Sequence, residues 1–161
     1  MNRTCLLLLA SVAFGAGSAL AADFPKSGTT ELNNYITART LATLDGGGQT
    51  LAVDEVSGIL QNAVGQPAFN NMSVRCLQYA TRASGGTLNL VGDCVLTDGD
   101  GDTIYWGYNG QYDSAPLILK SGTGKYKGIS GQAAATRTPV HQLPGGTLAT
   151  VNHLKLSWKI E

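Results

Sequence analysis

The C-terminal run of the chain alternates without a break. Leu148, Thr150, Asn152, Leu154, Leu156, Trp158 and Ile160 fall on one face of an extended backbone. Ala149, Val151, His153, Lys155, Ser157, Lys159 and Glu161 fall on the other. Strict alternation marks a strand with one buried face. Thr87–Leu96 repeats the pattern, with Leu88, Leu90, Cys94 and Leu96 on one side and Asn89 and Asp93 opposite. Further segments of strand character are Thr29–Leu44, Gln49–Gln61, Met72–Arg82, Asp102–Tyr108, Pro116–Lys120 and Lys125–Arg137, and the C-terminal strand spans Thr147–Ile160. Between them stand the turn signals DGGG, GQP, ASGG, DGDGD, SGTG and LPGG. Eight antiparallel strands with short connections predict an all-β fold, a closed barrel or a sandwich, with little or no helix. The second segment is ambiguous, since Val53, Val56, Leu60 and Val64 also match helical spacing, although Gly58 in its middle weakens a helix.

The cysteines test the hairpin register. A turn about Gly85 would oppose Arg82 to Leu88, Gln78 to Gly92 and Cys76 to Cys94. The turn chemistry alone therefore predicts a Cys76–Cys94 disulfide, because opposed residues of an antiparallel pair lie close enough to be bridged. The same register sets Arg75 diagonal to Asp93, the arrangement of a weak surface ion pair.

The N-terminus changes the charge and cysteine counts. Arg3 precedes an apolar or small run from Leu6 to Leu20, and Ala19-Leu20-Ala21 fits a cleavage site. This predicts a secretory signal peptide over residues 1–21 and a single barrel domain over 22–161. Its removal takes Cys5 and Arg3, leaving two cysteines and ten Lys and Arg against eleven Asp and Glu. A secreted or periplasmic location follows, where a cysteine pair oxidises. A near-neutral balance points to no nucleic-acid partner. No later stretch is long and apolar enough for a membrane span.

Two motifs invite a ligand reading. In "TDGDGDT", Asp98, Asp100 and Asp102 alternate, but Thr103 and Asn109 stand where an EF-hand loop needs Gly and Glu. A solvated turn, with Gly99 and Gly101 at positive φ, is the simpler reading, and no metal site is predicted. In "SGTGKYKGISG", Tyr126 follows Gly124-Lys125 where a phosphate loop needs Ser or Thr. The β reading succeeds instead: Ser121–Gly124 is a turn, Gly128 and Gly131 let a strand bend and approach its neighbour, Tyr126 packs, and Lys125 and Lys127 stay solvated.

The run Gly122-Thr123-Gly124-Lys125-Tyr126-Lys127-Gly128-Ile129-Ser130-Gly131 resembles the GTGxYxGxxG signature of the allene oxide cyclase-like barrel superfamily, which includes the dirigent proteins. PAFNNMSVRC (67–76) and GDCVLTDGDGD (92–102) resemble secreted bacterial members. The resemblance implies an eight-stranded antiparallel closed barrel of calycin-like form, whose central cavity binds a small hydrophobic molecule and steers cyclisation or coupling without a cofactor. It also implies that a homo-oligomer is open to this chain, since some relatives are trimers. The cyclases' cavity glutamate, asparagine and proline find no match here, so no catalytic residue carries over.

Three functions remain open. The first is a cavity binder, with Asn34, Gln78, Trp106, Tyr108 and Asn152 as candidates for a mixed apolar and polar lining. The second is a cofactor-free cyclase or coupling-directing enzyme, although His141 and His153 complete no catalytic constellation. The third is a secreted structural or interaction protein with a filled barrel.

Overall fold

The computed structural model describes residues 24–138 and 141–161. The expected signal peptide lies outside the described residues. Among the described residues nine strands run: β1 (Ser27–Gly46), β2 (Gln49–Asn62), β3 (Met72–Ala83), β4 (Leu88–Thr97), β5 (Thr103–Gln111), β6 (Leu117–Gly122), β7 (Ile129–Arg137), β8 (His141–Gln142) and β9 (Leu148–Ile160). Each pairs antiparallel with its neighbour, and β1 pairs with β9, closing an eight-stranded barrel. The two-residue β8 continues the line of β7 along β9. The ambiguous second segment is a strand: Asp54, Val56 and Leu60 point inward while Val53 and Val64 are exposed.

The hairpin register is as the turn predicts. Arg82 opposes Leu88, Gln78 opposes Gly92, and Cys76 opposes Cys94. The two cysteines form a disulfide with their Cα atoms 4.0 Å apart. Both are buried on the inner face. The expected Arg75–Asp93 pair does not form. Arg75 reaches Glu55 on β2 at 2.9 Å, and Asp93 pairs with Lys120 on β6. Both residues point outward: Arg75 finds its opposite charge on the strand to its other side, and Asp93 meets Lys120 over Gly107 of the intervening β5.

One end of the barrel is filled, where β1, β3 and β5 begin and β2, β4 and β9 finish. Leu32, Leu60, Met72, Leu96, Ile104 and Leu156 are each at most 1% exposed there. Four aromatic rings seal this end. Phe69 meets Trp158 edge-on at 4.8 Å and stacks on Tyr126 at 6.1 Å, and Phe24 meets Tyr126 edge-on at 4.9 Å. Asn62 holds the loop that carries Phe69. Its Oδ1 accepts from the backbone N–H groups of Val64 and Gln66, and its Nδ2 donates to the Ala68 carbonyl at 2.9 Å. Such amide-to-backbone bonds stand in for the strand ladder in a turn.

The glycine-rich run differs from its predicted strand in one respect. Gly124–Tyr126 forms a single 3-10 turn, and β7 starts only at Ile129. Gly124 has φ +52° and lies against the Asp102 carboxylate, where a Cβ would collide. Gly128 has φ +82°, and a Cβ there would lie 2.8 Å from the Glu161 carbonyl oxygen. Both conditions demand glycine. Gly128→Val is expected to destabilise the fold by about 1–3 kcal/mol, measured by urea unfolding. A variant as stable as the wild type would mean that the close approach is not fixed.

Lys125 is not simply solvated. Its Nζ lies 2.7 Å from the Asp98 carboxylate and 2.5 Å from that of Asp100. An ammonium from the neighbouring hairpin thus bridges two of the turn's three carboxylates. Asp98 also caps its own turn, accepting from the backbone N–H groups of Asp100 and Asp102. Gly101 takes positive φ as predicted, but Gly99 does not. Burial works to raise the Asp98 pKa, yet hydrogen bonds from Lys125, Tyr126 and the backbone hold it below the ordinary carboxylate value. Hydrogen bonds to Asp100 and Asp98 raise that of Lys125.

A carboxyl with a lowered pKa adds stability that is present above its unfolded value and lost as pH falls through its folded one. Lys125→Ala should therefore cost about 1–2 kcal/mol at neutral pH, because it leaves the buried Asp98 carboxylate without its counter-charge. That cost should shrink in acid as Asp98 takes up a proton. Chemical unfolding of both proteins at neutral pH and at pH about 2.5 checks this. An equal loss at both values would contradict it.

Candidate functional site

The other end of the barrel is not filled. Between the disulfide and the mouth lies a cavity of about 420 Å³. Its walls are largely apolar, with Ile36, Ala52, Val56, Ala80, Leu90 and Leu117 facing inward. The barrel leaves room here because small side chains occupy inward positions that hold leucine and methionine at the filled end. Asn34, Gln78, Trp106, Tyr108 and Asn152 all line this cavity. His141 and His153 do not: both are exposed, and His153 shares a hydrogen bond with Asn33 on the outer surface.

A chain of hydrogen bonds crosses the wall. The Tyr108 hydroxyl donates to Gln78 Oε1 at 2.8 Å, and Gln78 Nε2 donates to Asp54 Oδ2 at 2.8 Å. The Thr40 hydroxyl donates to Asp54 Oδ1 at 2.8 Å. Alternate inward positions on β1 to β5 bring these residues together, since Asp54 opposes both Thr40 and Gln78 and Gln78 opposes Gly92 beside Tyr108. Burial raises the Tyr108 pKa to about 12, so the phenol stays a donor at neutral pH.

Two arginines also line the cavity: Arg82 and, at the end of β7, Arg137. Arg137 is the one held by the wall. It donates to the backbone carbonyls of Tyr112 and Ala115 and lies over the Tyr112 ring at 5.1 Å. Burial lowers its pKa. Among the described residues, neither Asp54 nor Arg137 has an ion-pair partner.

Some polar groups in the lining have no protein partner. Asn34 Oδ1, Asn152 Oδ1, Trp106 Nε1 and the Tyr112 hydroxyl are buried and unbonded to protein. Native interiors rarely leave such groups unpaired.

Asp54, Thr40, Tyr112 and Arg137 were not among the sequence candidates. Asp54 carries a readable signal: it shares the inward face with Val56 and Leu60 once the segment is taken as a strand. Its visibility was lost to the competing helical spacing.

The chain has the fold of the dirigent barrels. It superposes on the pterocarpan synthase dirigent protein GePTS1 with a TM-score of 0.53 and 15% identity, covering 92% of this chain and all of that one. It superposes on the pterocarpan synthase dirigent protein PsPTS1 with a TM-score of 0.53 and 17% identity, covering 86% of this chain and 99% of that one. No family model and no curated protein sequence matches it.

Proposed function

We propose that the lumen binds a small, largely apolar molecule and orients it for cyclisation or coupling without a cofactor. The observation that carries this reading is the cavity of about 420 Å³, apolar in its walls and set with a few buried polar groups. That is the usual composition of a small-molecule site. The likeness to dirigent proteins supports the directing role, because a shaped cavity controls which atoms of a reactive molecule meet. Tyr108, Gln78 and Asp54 would orient the bound molecule, and Asp54 could also accept a proton from it. A filled barrel that serves only to present loops is disfavoured by the same cavity.

We also propose export, with cleavage after Ala21 leaving a barrel domain that begins at Ala22. The Cys76–Cys94 disulfide supports an oxidising compartment. A cut there leaves Phe24 in the aromatic seal.

Titration with the neutral dye N-phenyl-1-naphthylamine tests the lumen. The wild type should bind one dye saturably. Ala80→Trp, which fills the cavity from β3, should lose binding while keeping its disulfide and its cooperative melt. Equal binding by both would place the dye elsewhere and sink the reading.

A further inference from the structure

The unpartnered groups of the lumen have a definite chemical pattern. Asn34 on β1 and Asn152 on β9 are directly opposed across their shared ladder, so their side chains leave the same patch of wall. They are 4% and 7% exposed. Trp106, 2% exposed, extends from β5, which lies on the far side of the eight-strand circuit from β1 and β9. Two amide oxygens thus stand on one wall without donors, and one indole N–H stands on the opposite wall without an acceptor. All three residues line the cavity.

The charged side chain nearest this group in the register is Arg137, which opposes Asn152 on the β7–β9 ladder. Asp54 is engaged by Thr40 and Gln78, and Arg137 by the Tyr112 and Ala115 carbonyls. A carboxylate brought to this inner patch would sit in apolar surroundings against two amide oxygens. An ammonium would leave the indole N–H unanswered. The ammonium would be buried without a counter-charge, and the carboxylate would have only Arg137, whose guanidinium is already bonded to two backbone carbonyls. A hydroxyl offers only one donor for the two amide oxygens, and a ketone offers none.

We infer that the inner lumen recognises an uncharged primary carboxamide on an apolar body. The two N–H bonds of the carboxamide meet Asn34 and Asn152, and its carbonyl accepts from Trp106 Nε1. Should either asparagine turn its amide over, the carboxamide still offers both a donor and an acceptor, whereas the charged groups do not. This inference rests on the lumen being a ligand site and adds the polar group that the ligand must carry.

The test is calorimetric titration with four probes of nearly equal shape: naphthalene, 2-acetylnaphthalene, 2-naphthoate and naphthalene-2-carboxamide. The carboxamide should bind at least about tenfold more tightly than the ketone, since the ketone leaves two buried acceptors unanswered. The naphthoate should bind less tightly than the carboxamide, because it brings no donor for the two amide oxygens. Binding of the carboxamide should shift the Trp106 indole N–H resonance. Asn34→Leu or Asn152→Leu should erase the preference for the carboxamide over the ketone. Trp106→Phe should weaken carboxamide and ketone alike and leave naphthalene unchanged. If naphthalene and the ketone bind as well as the carboxamide, the inference is wrong while the lumen reading stands. That would also be the outcome if ordered water served these three groups. If none of the four probes binds, both fail. The comparison among probes uses the wild-type protein, so it does not depend on any variant folding.

Discussion

Phe69→Ala is expected to destabilise the barrel by about 3–5 kcal/mol, the usual cost of removing a buried phenylalanine ring. Phe69 is 1% exposed and touches three other aromatic residues: Phe24, Tyr126 and Trp158. It comes from the loop after β2, so no strand ladder would hold the loop down once the ring is gone. Collapse of the seal is limited, because Asn62 fixes the loop backbone on both sides. Edge-to-face pairs also add stability beyond the area buried. Denaturant unfolding reads the loss directly. A cost below about 1 kcal/mol would show that the ring is not part of the core. The lumen end should be spared, so any folded population should still bind an apolar dye.

The second large effect concerns the disulfide. Cys76→Ala with Cys94→Ala is expected to lower stability by about 3 kcal/mol, chiefly by loosening the unfolded chain. For a barrel of about 140 residues this corresponds to a fall in melting temperature of about 10 °C. Two small side chains also replace the bridge on the inner face next to Trp106, whose backbone pairs with that of Cys94. Wild-type protein held in reductant should melt with the variant. If reduction leaves the melting temperature unchanged, the bridge does not constrain the chain as described.

The sequence made the barrel legible because its inner and outer faces obey a period of two. β4 shows this throughout and β9 from Asn152 onward, and the Gly85 turn carried the register as far as Cys76 and Cys94. The run around Gly124 was legible as a turn from its glycines. Its 3-10 form, and the hold of Lys125 on Asp98 and Asp100, were not, because they depend on two hairpins meeting in space. The same limit applied to Arg75, whose partner Glu55 lies on a strand that hairpin arithmetic did not reach. In the cavity, aromatic and amide residues on alternating strands stood out. Asp54 did not, because a helical reading hid its face. Arg137 and Tyr112 did not, because they sit at strand ends where alternation gives no direction.

The central claim is that the unfilled half of the barrel receives a ligand. A crystal structure of the protein grown with naphthalene tests it most directly. The account expects ring-shaped density inside the barrel, between Trp106 and Leu90 and beyond the disulfide from the aromatic seal. Density confined to the outer surface, or a lumen closed by inward rotation of its own side chains, would contradict it.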